Sequence, residues 1–168
     1  MSEPPPTVYL LDGDDEYAIA ELLSGLTGKL GDPTTAEMNT TRLDGSNATL
    51  DQIETAARSM PFLAARRLVI LTRPAARLTT KPLRDRFLKL LSELPPSAAI
   101  VLVEPGSLTK DRREGKLHWL EKWAQTAGPR VFYRHCALPR GEAMTGWVLA
   151  RAKAQGGVFT PQAASTLA

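Results

Sequence analysis

The sequence predicts an α/β fold: a mainly parallel sheet with helices on both faces, followed by the start of a small helical domain. Three observations predict it. Short aliphatic runs alternate with amphipathic stretches along residues 7–136, the pattern that successive βαβ units require. The clearest of those runs, "RLVILT" and "AAIVLVE", show no polar alternation, as expected of strands covered on both faces. Beyond residue 136 no strand-like run returns, and two helix-like stretches follow one another.

Each element has a local reason. Residues 1–6 end in three prolines and are expected to form a disordered tail. "TVYLLDG" reads as a buried strand stopped by Asp12-Gly13. "DDEYAIAELLSGLTGKL" follows as a helix capped by Asp14, with Ile19, Leu22, Leu23 and Leu26 at helical spacing and Gly25 and Gly28 weakening its far end. "GDPTTAE" is read as a loop, and "MNTTRLDG" as a second strand nearer a sheet edge. "TLDQIETAARS" opens with a capping box, Thr49 to Gln52, and carries Leu50, Ile53 and Ala57 on one face. "RLVILT" is a central strand. "TTKPLRDRFLKLLSEL" is a helix with Thr80 as cap, Pro82 in the first turn and Leu83, Phe87, Leu90 and Leu91 inward. "AAIVLVE" is the next buried strand. A helix within "KDRREGKLHWLEKWAQTAG" starts beyond Lys110 and turns Leu117, Leu120 and Trp123 inward; "RVFYRHC" is the fifth strand. The α/β domain is therefore placed at residues 7–138 and a helical domain at 139–168. Thr160 and Pro161 open its last helix, and that helix reaches Ala168 with no stop signal, so a domain cut short is expected.

Composition narrows the function. The 168 residues carry a formal charge of +3, a mild basic excess compatible with a nucleic-acid-associated protein but not diagnostic of one. With one cysteine, Cys136, an internal disulfide is impossible, and two histidines add little metal chemistry. The start "MSEPPPT" has no secretion-signal layout, and no apolar run approaches the roughly 18 residues a membrane span needs. A cytoplasmic, monomeric chain is expected.

The first strand–loop–helix is where a nucleotide-binding fold keeps its phosphate loop. Such a loop needs glycines, a lysine and a Ser or Thr. This one has a single glycine, no lysine, and Asp12, Asp14, Asp15 and Glu16, whose charge repels a triphosphate. No nucleotide cofactor is expected. The acidic group could start a magnesium site with Asp44, which sits in a "DGSN" turn, but helix capping explains it more simply. His118 reads as a surface residue and Cys136 as a half-buried hydrophobe. No catalytic constellation emerges. Basic residues crowd two stretches: Arg66, Arg67, Arg73, Arg77, Lys81, Arg84, Arg86 and Lys89, then Lys110, Arg112, Arg113 and Lys116. Interleaved acids and scarce aromatics favour a solvated surface, with Arg66, Arg73 and Arg77 kept as candidate contacts to DNA or to another subunit.

In "SMPFLAARRLVIL" two bulky apolar residues, Phe62 and Leu63, lie between a helix and a buried strand. By themselves they read as core, as a hydrophobic staple, or as a plug for another protein. Three stretches bear on the choice: "VYLLDGDDEYAIAELLSGL", "TTRLDGSNATLDQIETAARSMPFLAARRLVIL" and "LPRGEAMTGWVLARAKAQGGVFTPQAASTLA". In order and spacing they resemble the delta subunit of the bacterial DNA polymerase III clamp loader, over essentially the whole chain. The middle stretch is the most specific. The resemblance implies an ATPase-like (AAA+-type) first domain that neither binds nor hydrolyses nucleotide, a helical lid domain, and a collar domain absent from these residues. It implies a non-catalytic subunit of a DNA polymerase holoenzyme that binds the sliding clamp and opens it, with other loader subunits and, indirectly, primed DNA as partners. Aligned through "AARR", the clamp-binding residues fall on Met60, Pro61, Phe62 and Leu63. The family's pair is often Leu-Phe, whereas this chain reads Phe-Leu. The rival readings are a nucleotide-dependent phosphotransferase-like enzyme with an unusual loop, testable by ATP-induced thermal stabilisation, and a stand-alone DNA-binding module, testable by steeply salt-dependent DNA affinity.

Overall fold

A computed structural model describes residues 4–105, 108 and 115–167. The chain divides into two compact units, one through Cys136 and the other from Ala137.

The first unit holds β1 (Val8–Asp12), α1 (Glu16–Gly28), α2 (Pro33–Met38), β2 (Thr40–Asp44), α3 (Leu50–Arg58), β3 (Arg67–Thr72), α4 (Lys81–Ser92), β4 (Ala98–Glu104), α5 (Trp119–Thr126) and β5 (Val131–His135). Its five strands form one sheet in the order β2-β3-β4-β1-β5, and every neighbouring pair is parallel. β4, the middle strand, is buried from end to end. The less apolar β2 lies at one edge, as its composition predicts.

Side chains alternate faces along each strand, and two separate cores result. Val8, Leu10, Val69, Leu71, Ile100 and Leu102 pack with Ile53 and Ala57 of α3, Phe87, Leu90 and Leu91 of α4, and Leu120 of α5. Leu11, Leu68, Ile70, Val101 and Val103 pack with Ala18 and Ile19 of α1. The uninterrupted aliphatic runs are thus explained: β1, β3 and β4 each feed a core on both sides.

Several helix starts follow the sequence. Thr49 and Gln52 close a reciprocal capping box on α3. Pro82 stands in the first turn of α4, although Thr80 makes no side-chain cap bond. Other expectations are corrected. "GDPTTAE" is not a loop throughout. Asp32 accepts the Thr34 and Thr35 N–H groups and Pro33 takes the first helical position, so a short helix, α2, forms there. The cap of α1 is the buried Asp15, not Asp14. α5 begins only at Trp119, so Leu117 lies outside it and is exposed rather than inward. His118 is not a surface residue; it is buried and its Nδ1 accepts the Leu120 N–H at 3.3 Å as the cap of α5. Cys136 is fully rather than half buried, and burial pushes its thiol pKa up. Lys110, Arg112, Arg113, Met1 to Glu3 of the expected tail, and Ala168 lie outside the described residues.

Two glycines mark close approaches. A Cβ on Gly13 would stand 2.0 Å from the Cys136 carbonyl oxygen, and φ there is +123°. A Cβ on Gly45 would stand 2.4 Å from the Arg73 carbonyl oxygen. Each lets a loop at a strand end close onto a neighbour.

The second unit contains α6 (Glu142–Ala154) and α7 (Pro161–Leu167). Thr160 Oγ1 accepts the Ala163 N–H at 3.2 Å, and Pro161 begins α7. Ala164 is buried in this unit.

Candidate functional site: an exposed apolar loop ahead of the third strand

α3 ends at Arg58, and Ser59 takes an extended conformation that stops the helix. Pro61 follows two residues later, where a proline keeps the helix from resuming. Four exposed ion pairs hold α3 against itself and α4: Arg58 to Glu54 and Glu93, and Arg86 to Asp51 and Glu54. The Arg86 hydrogen bond, then that of Arg58, lowers the Glu54 pKa.

What leaves is apolar. Met60 is 85% exposed, Phe62 55% and Leu63 82%. Single exposed apolar residues are ordinary, but three within four positions are a patch that needs an explanation. Of the sequence alternatives, core and staple are not what the geometry shows for these side chains. Leu63 also has a left-handed backbone, φ 54°, which costs a leucine roughly 1 kcal/mol or more and turns the chain back toward the sheet.

The backbone beneath the patch is held. Asn39, between α2 and β2, is completely buried. Its Oδ1 accepts the Phe62 N–H at 2.7 Å, and its Nδ2 donates to the Phe62 carbonyl at 2.6 Å. Nδ2 donates as well to the Thr35 carbonyl at 2.8 Å. The exit of the loop is fixed by Arg66, whose guanidinium donates to the carbonyls of Pro6 at 2.8 Å and Ala98 at 3.0 Å. Arg67 then donates to Thr41 Oγ1 at 2.9 Å as β3 begins.

The three arginines kept as DNA or subunit candidates are not brought together. Arg66 precedes β3 and Arg73 follows it, so the strand's six residues, about 20 Å, separate them. Arg73 closes a two-point pair with Asp44, and this contact, with the Ser46 hydroxyl and N–H, lowers the Asp44 pKa to about 2. Asp44 is thus an ion-pair partner in its turn. Arg77 donates to the Asn47 carbonyl at 3.2 Å. Arg73 also lines an open cleft with Arg84, Glu104, Lys116, His118 and Lys122.

The connection where a phosphate loop would sit lies at the opposite, carboxyl edge of the sheet. Asp15 Oδ1 accepts the Ala18 N–H at 2.9 Å, so a carboxylate already occupies the start of α1. The Asp15 N–H goes to the Cys136 carbonyl at 2.9 Å, and buried Asp12 meets His135 Nδ1 at 3.0 Å. Among the described residues no group of three or more His, Cys, Asp or Glu side chains is placed to hold a metal ion, and no helix is long and apolar enough to cross a membrane.

Asn39 went unread in the sequence, where it is one polar letter at the start of a strand. Its partner lies 23 residues away, and no local pattern connects them.

The parallel sheet with helices on both faces has the AAA+-like α/β fold of solved clamp-loader structures. The chain is similar to the Bacillus subtilis DNA clamp loader delta protein, with 22% identity and a TM-score of 0.67 over 97% of this chain and 48% of that one. It is also similar to a DNA polymerase III gamma subunit-related protein of Thermotoga maritima, with 22% identity and a TM-score of 0.52 over 88% of this chain and 46% of that one. The chain spans about half the length of these solved structures. No curated protein sequence matches it. The model of the family "DNA polymerase III, delta subunit" matches residues 9–128, and the chain belongs to that family.

Proposed function

We propose that this chain binds a ring-shaped sliding clamp through Met60, Pro61, Phe62 and Leu63, and strains or opens the ring for loading onto DNA without a catalytic step of its own. The observation that carries the reading is the exposed apolar patch on a tethered backbone. A compact apolar anchor entering a pocket is how a small contact becomes a binding hot spot. Proline at 61 restricts the loop and lowers the entropy lost on docking. A clamp ring is closed by protein interfaces, so a partner that binds the open or strained ring more tightly shifts its population.

The acidic, self-capped start of α1 supports a subunit that leaves nucleotide chemistry to others, because a triphosphate there would face Asp14 and Asp15 instead of free N–H groups. In this reading residues 139–168 begin a helical lid domain, the partners are the clamp and the other loader subunits, primed DNA is met indirectly, and the place of action is the cytoplasm. The experiment is a calorimetric titration of a bacterial sliding clamp with this chain and with its Phe62→Ala/Leu63→Ala variant. Equal affinity for the two removes the anchor assignment.

A further inference from the structure

We infer that Asn39 is a positioning residue for the apolar loop: it docks the Phe62 backbone before any partner arrives, so that Phe62 and Leu63 are presented already ordered. The inference rests on the clamp-binding reading and adds to it a residue that touches no partner. The Asn39 side chain offers Phe62 one acceptor and one donor, the same pair that a neighbouring strand would offer. Its second amide hydrogen is held by the Thr35 carbonyl within α2, and its backbone carbonyl accepts the Leu68 N–H at 2.8 Å as β3 begins. Asn39 therefore ties four segments together: α2, β2, the loop and β3.

Its burial is what gives the contact weight. A completely buried amide must find partners for its polar atoms, because water is not there to replace them. Letting the loop go would leave the Oδ1 without its Phe62 donor, so the docked loop is the favoured state of the free protein. Leu63 shows the other half of the arrangement. Its left-handed backbone is unfavourable for a leucine and persists where surrounding contacts over-determine it. The Phe62 clip on one side and the Arg66 carbonyl contacts on the other supply those constraints. The side chains at the patch are thus exposed while their backbone is not free, the condition under which docking loses least conformational entropy.

Two measurements test this. The first is amide hydrogen exchange of Phe62 in the free 168-residue chain, which needs no variant. The expected result is slow exchange, lost in Asn39→Ala while the β3 amides Leu68 to Leu71 stay protected. Exchange of the wild-type Phe62 amide at the rate of an unstructured chain overturns the inference. The second is titration of a bacterial sliding clamp with the wild type, Asn39→Ala, Phe62→Ala/Leu63→Ala and the triple variant. Asn39→Ala is expected to raise Kd by roughly 5- to 150-fold, the ordering of about two side chains, and to add nothing in the Phe62→Ala/Leu63→Ala background. A merely destabilising substitution would lower affinity equally in both backgrounds, and that result overturns the positioning role. If wild type binds and Asn39→Ala binds equally well, the inference fails and the clamp-binding reading stands. If the wild type does not bind clamp at all, it is the clamp-binding reading that fails.

Discussion

Truncating the apolar loop should separate binding from stability, and the structure sets the scale. Burying a Phe or Leu side chain fully is worth roughly 1.5–3 kcal/mol. Leu63 has 82% of its surface left to bury and Phe62 55%. Scaled by those fractions, Leu63→Ala should cost about 1.2–2.5 kcal/mol of clamp affinity and Phe62→Ala about 0.8–1.7. Together that is about 2–4 kcal/mol, or roughly 30- to 900-fold in Kd. The same exposure says that the fold hardly uses these side chains, so thermal stability should change little in either variant. Surface plasmon resonance against immobilised clamp gives the affinities, and differential scanning calorimetry gives Tm. Leu63 should exceed Phe62 in effect even though leucine is the smaller residue. A double variant that loses stability in step with affinity would refute the reasoning, because it would mean that the two side chains belong to the core.

The remaining predictions concern the scaffold. Asp44 has its pKa lowered from 3.8 to about 2 by Arg73 and then by Ser46. Its pairing therefore supports the fold above pH 4 and is lost as pH falls toward 2; acid titration followed by circular dichroism should show a shallower loss in Asp44→Asn over that window. Gly13→Ala should destabilise by about 2 kcal/mol or more, since the new Cβ meets a carbonyl oxygen at 2.0 Å on a backbone with φ +123°, and urea denaturation measures it. The Cys136 thiol is buried and its pKa is raised by that burial, so maleimide labelling at pH 8 should be slow in the native protein and fast in guanidinium. ATP with magnesium should leave Tm unchanged within about 1 °C, because the start of α1 is capped by Asp15; a clear upward shift would favour an enzyme of the same fold.

Much of this was legible in the chain. The aliphatic runs, the capping box at Thr49 and Gln52, and the Thr160-Pro161 start of α7 are patterns whose physics acts over a few residues, and the structure follows them. The Asp32-Pro33 pair at α2 was a local signal of the same kind that the loop reading passed over. Phe62 and Leu63 stood out by their type and their place after a helix, whereas Met60 and Pro61 joined them only through the family resemblance. Whether Phe62 and Leu63 faced inward or outward could not be read, because apolar residues in a short connection satisfy either environment.

Apart from α2, the order and type of the elements and the double-sided burial of β3 and β4 were determined by sequence alone, since hydrophobic period and capping chemistry are properties of neighbours along the chain. The tertiary structure decided the strand order, the capture of Arg66 and Arg73 by groups of their own chain, and the tether from Asn39 to Phe62. Those contacts join residues that only the closed sheet brings within hydrogen-bonding distance, and for the buried Asn39 amide an unmade bond is costly.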